Sequence, residues 1–145
     1  MEITSIFDEG IVVTKLKKNI VNVTPHDVII LDPKYCEFDK RTKQYVFTDL
    51  KVTEQMILKI YPKTNYIARC TTSETVIDSE DFPAVKMTFG QIEGLPNSKK
   101  NTLYIASFIV QTAAKSKGRY DVITPVKVVR DLYGNSVGCL ALGVS

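Results

Sequence analysis

The sequence predicts an α+β fold: mostly antiparallel β-sheet, one or two short helices and a C-terminal β-hairpin. Three observations carry this. β-branched and apolar runs recur at 11–14, 20–24, 28–31 and 126–129, and such runs bounded by turn residues read as strands. One stretch, 108–115, has both a helix start and a helix stop. Tyr133-Gly-Asn-Ser136 separates two apolar runs, 126–132 and 137–144, which is a hairpin pattern.

The elements follow in order. Residues 11–14 and 20–24 read as strands, and Pro25 marks a bend before the continuous apolar run 28–31, because proline gives the ladder no donor. Asp32-Pro33 closes that run as a turn. The charged stretch 34–54 holds one alternating segment, Tyr45-Val-Phe-Thr48, and reads as a hairpin extension or as a loop with one strand. Residues 54–60 fit either a helical turn or a strand that ends at Pro62. Residues 66–72 and 82–89 read as strands paired across an acidic loop, 73–81. Residues 103–106 read as a buried strand, and Ser107 is a suitable cap for the helix at 108–115. Phe108, Ile109 and Ala113 share its expected apolar face. Gly118 and the nearby Lys115 and Lys117 suit its C-terminus.

With 145 residues, 44% hydrophobic and 24% charged, the chain is long enough for one domain, 1–145, with its own core. A net charge of +3 without a dense Lys/Arg block argues against coating DNA or RNA. No apolar stretch reaches the roughly 18 residues of a membrane span. The first residues carry no export signal, so the reading is cytoplasmic and the Asn22-Val-Thr24 sequon is fortuitous. Cys36, Cys70 and Cys139 are too few and too scattered for a disulfide framework or a zinc site, and read as small buried residues. No phosphate-loop, calcium-loop or metal spelling occurs, so neither metal nor cofactor is expected. His26 is the single histidine and reads as a satisfied structural side chain rather than a general base.

Binding chemistry is better represented. The chain has fifteen lysines but four arginines, Arg41, Arg69, Arg119 and Arg130. Arginines that interrupt apolar patterns stand out, because the guanidinium fork suits phosphate and stacks on bases. Arg69 and Arg119 read as ligand contacts. Arg130 stands between a pocket role and an ion pair, with Asp131 and Asp121 as near partners. Phe89-Gly90 can present a ring to a base with close backbone approach. Asn97 and Asn101 can read an adenine edge or ribose hydroxyls, and are equally ordinary turn residues.

Five segments, taken together, resemble the phage Thoeris anti-defence sponge family of the first type, over roughly residues 20–138. They are Asn22-Val-Thr-Pro-His26, Phe89-Gly-Gln-Ile-Glu-Gly-Leu-Pro96, Leu103-Tyr-Ile-Ala-Ser107, Gly118-Arg-Tyr-Asp-Val-Ile-Thr-Pro125 and the closing Val128-Val-Arg-Asp131 hairpin. The resemblance implies a non-enzymatic protein of the infected bacterial cytoplasm. It would bind a cyclic ADP-ribose isomer, or another cyclic nucleotide immune signal, and sequester it uncleaved. It further implies a homo-oligomer, dimer or larger, with pockets between protomers. By the same resemblance Phe89 stacks on the base, Arg69 and Arg119 hold phosphate, and Asn97 or Asn101 supplies the amide. Residues 1–19 lie outside the resemblance, and 34–65 is longer and more charged than it implies. Two other classes compete: a cyclic-nucleotide-degrading enzyme, which needs His26 and carboxylates to converge, and a small phage structural or interaction protein without a ligand.

Overall fold

The computed structural model describes residues 2–8, 11–49 and 51–145, with side chains described from residue 18 onward. Its class is the expected one: α+β, dominated by antiparallel pairing, with one α-helix among the described residues and a C-terminal hairpin. β1 (Glu2–Asp8) and β2 (Ile11–Lys17) pair antiparallel with each other.

The body is one sheet whose central path runs β3 (Asn19–Asn22), β10 (Thr102–Ile105), β11 (Val122–Arg130), β12 (Ser136–Gly143), β4 (Val28–Leu31) and β7 (Ile57–Tyr61). β11 and β12 form the expected hairpin. Its turn is fixed by Asp131, whose Oδ1 accepts the N–H groups of Tyr133 and Asn135, each at 2.9 Å. Parallel pairings complete the sheet: β3 with β10, β10 with β11, and β12 with β4. On its other edge β11 takes β10 at Val122–Ile123 and β6 (Gln44–Phe47) at Val129–Arg130. β6 pairs in turn with β5 (Cys36–Asp39), so the charged stretch 34–54 resolves as a hairpin. Residues 54–60 are both things foreseen for them, a 3₁₀ turn over Glu54–Met56 and then β7.

β10 shows why the body holds together. All four of its residues are buried, as expected for a strand covered on both faces. Leu103 and Ile105 turn to a cluster with Val28, Ile123 and Cys139, to which Ile20, Ile30, Tyr61 and Leu142 add. Every strand of the central path contributes to this cluster, so the sheet curls around it. Its two end strands meet through Asn22, whose Nδ2 donates to the Tyr61 carbonyl at 2.8 Å. Tyr104 and Ala106 turn the other way, to Val23, Val110, Ala114 and Val122. A third cluster joins Leu31, Phe47, Met56 and Val129.

α1 (Phe108–Ser116) starts where Ser107 predicts, since Ser107 Oγ accepts the Val110 N–H at 3.3 Å. It ends at Gly118, which takes φ 83°. Its buried face differs from the expected one. Val110, Ala113 and Ala114 pack inward, while Phe108 is 69% exposed and Ile109 also faces out. Small residues let the helix approach the sheet closely, and that selects the alanine face over the bulkier one.

β8 (Arg69–Ile77) and β9 (Ala84–Glu93) pair only with each other. The predicted partnership holds, but the acidic loop expected at 73–81 is shorter, because residues 73–77 belong to β8. Most of the two strands is exposed, including Val76, Val85 and Met87, so they form an arm that leaves the body. Only the foot is packed, where Cys70 and Ile92 rest on the Tyr104–Ala114 cluster. Gly94 ends the arm at φ 81°, against the Ile67 carbonyl. Among the described residues no helix is long and apolar enough to cross a membrane.

Candidate functional site

Arg119 lies just past the end of α1, where Gly118 turns the chain toward β11. Its guanidinium is set by Asp121: Nε donates to Oδ1 at 3.1 Å and Nη2 to Oδ2 at 2.7 Å. It also lies over the Tyr104 ring, 5.9 Å from the centroid. Ser98 donates to the same carboxylate at 2.9 Å. Burial pushes the Asp121 carboxyl up, but the Arg119 and Ser98 hydrogen bonds and the Arg119 charge outweigh it and hold the carboxyl below its usual range. The fork is therefore fixed at two nitrogens, while Nη1 makes no hydrogen bond among the described residues.

That guanidinium borders an open cavity of about 420 Å³ at the foot of the arm, floored by Ile92, Leu95 and Ala114 and flanked by Gln91 and Lys117. Lys117 Nζ donates to the Gly90 carbonyl at 3.2 Å, tying the helix end to the arm. Two cations, an amide and an apolar floor suit an anion with a flat apolar part.

The other predicted residues gather less closely. Phe89 is half-buried on β9, opposite Thr72, and adjoins this cavity through Gly90 and Gln91 without lining it. Arg69 is exposed and does not line this cavity. Ala68 and Cys70 turn inward on either side of it, so strand alternation sends Arg69 off the opposite face, across from Glu93. Asn97 is exposed and engages through its backbone, where its carbonyl accepts the Tyr104 hydroxyl at 3.0 Å. Asn101 sits at the start of β10 with φ 56°, and its buried Oδ1 has no partner. Arg130 pairs with neither aspartate; its Nη1 donates to the Gly134 carbonyl at 3.0 Å. Gln91 and Lys117 are site residues that sequence alone does not single out. Gly90 was the available signal: a Cβ there would strike Thr71, where β9 carries one residue more than β8.

A larger cavity, about 560 Å³, lies at the opposite end of β10. Four of the segments that stand out in the sequence converge on it, through Thr24 and His26, Ala106 and Ser107, Pro125, and Val128, with residues 136–139 of the hairpin beside them. The parallel register brings them together. Ile105 lies opposite Asn22, so the chain leaving β10 and the chain leaving β3 emerge side by side. The turn there is held by Asn22, 2% exposed. Its Nδ2 donates to the His26 carbonyl at 2.8 Å and its Oδ1 accepts the Thr24 N–H at 2.9 Å. The His26 ring makes no hydrogen bond among the described residues, contrary to the satisfied structural histidine expected. Cys139 is buried, as foreseen, but Cys36 and Cys70 are only half-buried, and all three are free thiols. Burial raises the Cys36 and Cys139 thiols, and Asp32 adds to the rise at Cys36. Among the described residues no three His, Cys, Asp or Glu side chains gather to hold a metal.

The Asp121 pairing sets an expected pH response. A carboxyl whose folded value is depressed contributes stability above its unfolded value, and that contribution fades as pH falls through the folded value. Asp121→Asn should therefore flatten the acid limb of stability below about pH 4, while lowering stability at neutral pH. Urea unfolding between pH 2.5 and 7 checks this, and parallel wild-type and variant profiles would refute the pairing. The chain matches no family model, no curated protein and no solved structure.

Proposed function

We propose that the protein is a non-catalytic sponge. In this reading a single ligand-binding domain, 1–145, captures a cyclic ADP-ribose isomer, or a related cyclic nucleotide signal, and holds it uncleaved in the cytoplasm of a phage-infected bacterium. The carrying observation is the Arg119 fork, fixed by Asp121 at two nitrogens and lining an apolar-floored cavity, with no hydrogen bond at Nη1 among the described residues. A pyrophosphate gains charge-assisted bonds from such a group, Lys117 adds a second cation, and in this reading the Phe89 ring, which adjoins the cavity along β9, stacks on the base. The cavity is open on one side, so a second copy of the chain would complete the enclosure. Sequestration depends on slow release rather than on turnover.

Titration calorimetry with cyclic ADP-ribose tests this. Arg119→Ala and Phe89→Ala are each expected to weaken binding by at least about tenfold, the scale of one charge-assisted bond or one stacked ring. Circular dichroism confirms that both variants fold. Unchanged affinity in both removes this cavity as the site. Heating the complex and weighing the released molecule by mass spectrometry separates capture from cleavage: intact ligand supports the reading, and a hydrolysed product overturns it.

A further inference from the structure

We propose that the cavity beside His26 is a second and separate ligand site, and that it takes a small aromatic amine. The inference rests on the charge and shape of that cavity, independently of the Arg119 site. Its volume, about 560 Å³, lies within the range of about 300–1,000 Å³ typical of small-molecule pockets. The walls are largely apolar, with Val28, Val128 and Val137 from three neighbouring strands. Val128 is 36% exposed there although Cys139, its cross-strand partner, is buried. An aromatic body gains by covering these valines.

Charge decides the polar end. Among the described residues no lysine or arginine lines the cavity, and Asp27 is its one carboxylate. Asp27 Oδ1 accepts the Lys63 backbone N–H at 2.9 Å, which positions the group without neutralising it, and no ion pair engages it among the described residues. Ser136 adds a hydroxyl acceptor. An ammonium carries only donors and needs such a set. A phosphate or carboxylate would instead meet Asp27 with no basic side chain of Lys or Arg to offset it. Counted over Lys, Arg, Asp and Glu among the described residues, its lining is opposite in sign to that of the Arg119 cavity. Asn22 holds the Thr24–His26 backbone in place before any ligand arrives, so little ordering is needed on binding.

Tryptamine is the probe. The chain has no tryptophan, so indole fluorescence anisotropy reports the ligand alone. The wild-type protein should give saturable binding, with indole-3-propionate at least about tenfold weaker. Asp27→Asn keeps an acceptor for the Lys63 N–H and should weaken tryptamine by about tenfold or more. Val128→Lys places a cation on the wall and should remove tryptamine binding while admitting the propionate. Absence of saturation at millimolar tryptamine, equal affinity for amine and acid, or an unchanged affinity in Asp27→Asn each overturns the proposal.

Discussion

Replacing Asn22 with alanine is expected to destabilise the fold by about 3 kcal/mol and to lower Tm by about 10 °C. The side chain is 2% exposed and serves both its donors and its acceptor. Nδ2 donates to the carbonyls of His26 and Tyr61, both at 2.8 Å. Oδ1 accepts the Thr24 N–H at 2.9 Å, with the Thr24 hydroxyl 2.7 Å away. Truncation strands these groups where water reaches them poorly, and an unmet buried polar group costs more than a met one contributes. It also unties the two end strands of the central path, β3 and β7. Urea melts measure the loss, and a change below about 1 kcal/mol would mean that solvent replaces the amide at little cost.

Gly94→Ala is expected to be of similar size, about 2–4 kcal/mol. Two effects add. Gly94 holds φ 81°, which side-chain-bearing residues rarely adopt, and a Cβ there would run into the Ile67 carbonyl. That obstacle is backbone and cannot swing aside. Ile67 precedes Ala68, whose N–H donates to the Val23 carbonyl at 2.9 Å, so relief of the clash disturbs the seam between arm and body. Gly118 provides the contrast, since its φ is 83° yet nothing lies within 4 Å of its Cβ position. Gly118→Ala should therefore show the conformational penalty alone, about 1 kcal/mol. Equal losses in the two variants would remove the clash as the cause.

What could be read in advance follows from how local each signal is. Ser107, Gly118 and the Tyr133–Ser136 turn act within a few residues of themselves, and the helix and terminal hairpin stand where those residues put them. The parallel pairing of β3 with β10 joins Asn19 to Thr102, and nothing in either short run names its partner. The outer half of β8 reads as loop in the sequence because residues 73–77 have water on both faces, so no core imposes a period on them. Phe108 and Ile109 misdirected the helix face because apolarity states a preference for burial, whereas the sheet admitted only the slimmer alanine side. Among candidate ligand residues, the Arg119–Asp121 pair is two positions apart and locally readable. Arg69 depends on strand parity, which is set by the inward turn of Ala68 and Cys70 on either side of it. The cavity beside His26 is legible in the sequence only as separate segments, since the fold alone sets Thr24, Ser107, Pro125 and Gly138 around one space.

The β8–β9 arm carries a thermodynamic consequence of its own. Two strands paired only with each other gain little beyond their own ladder, and such a ribbon is marginal in water. Its outer rungs can therefore melt and re-form while the curled sheet stays shut, which makes the tip a cooperative unit separate from the rest of the molecule. Amide protons near Val76 and Val85 would report that private equilibrium, whereas those of β10 report rupture of the whole.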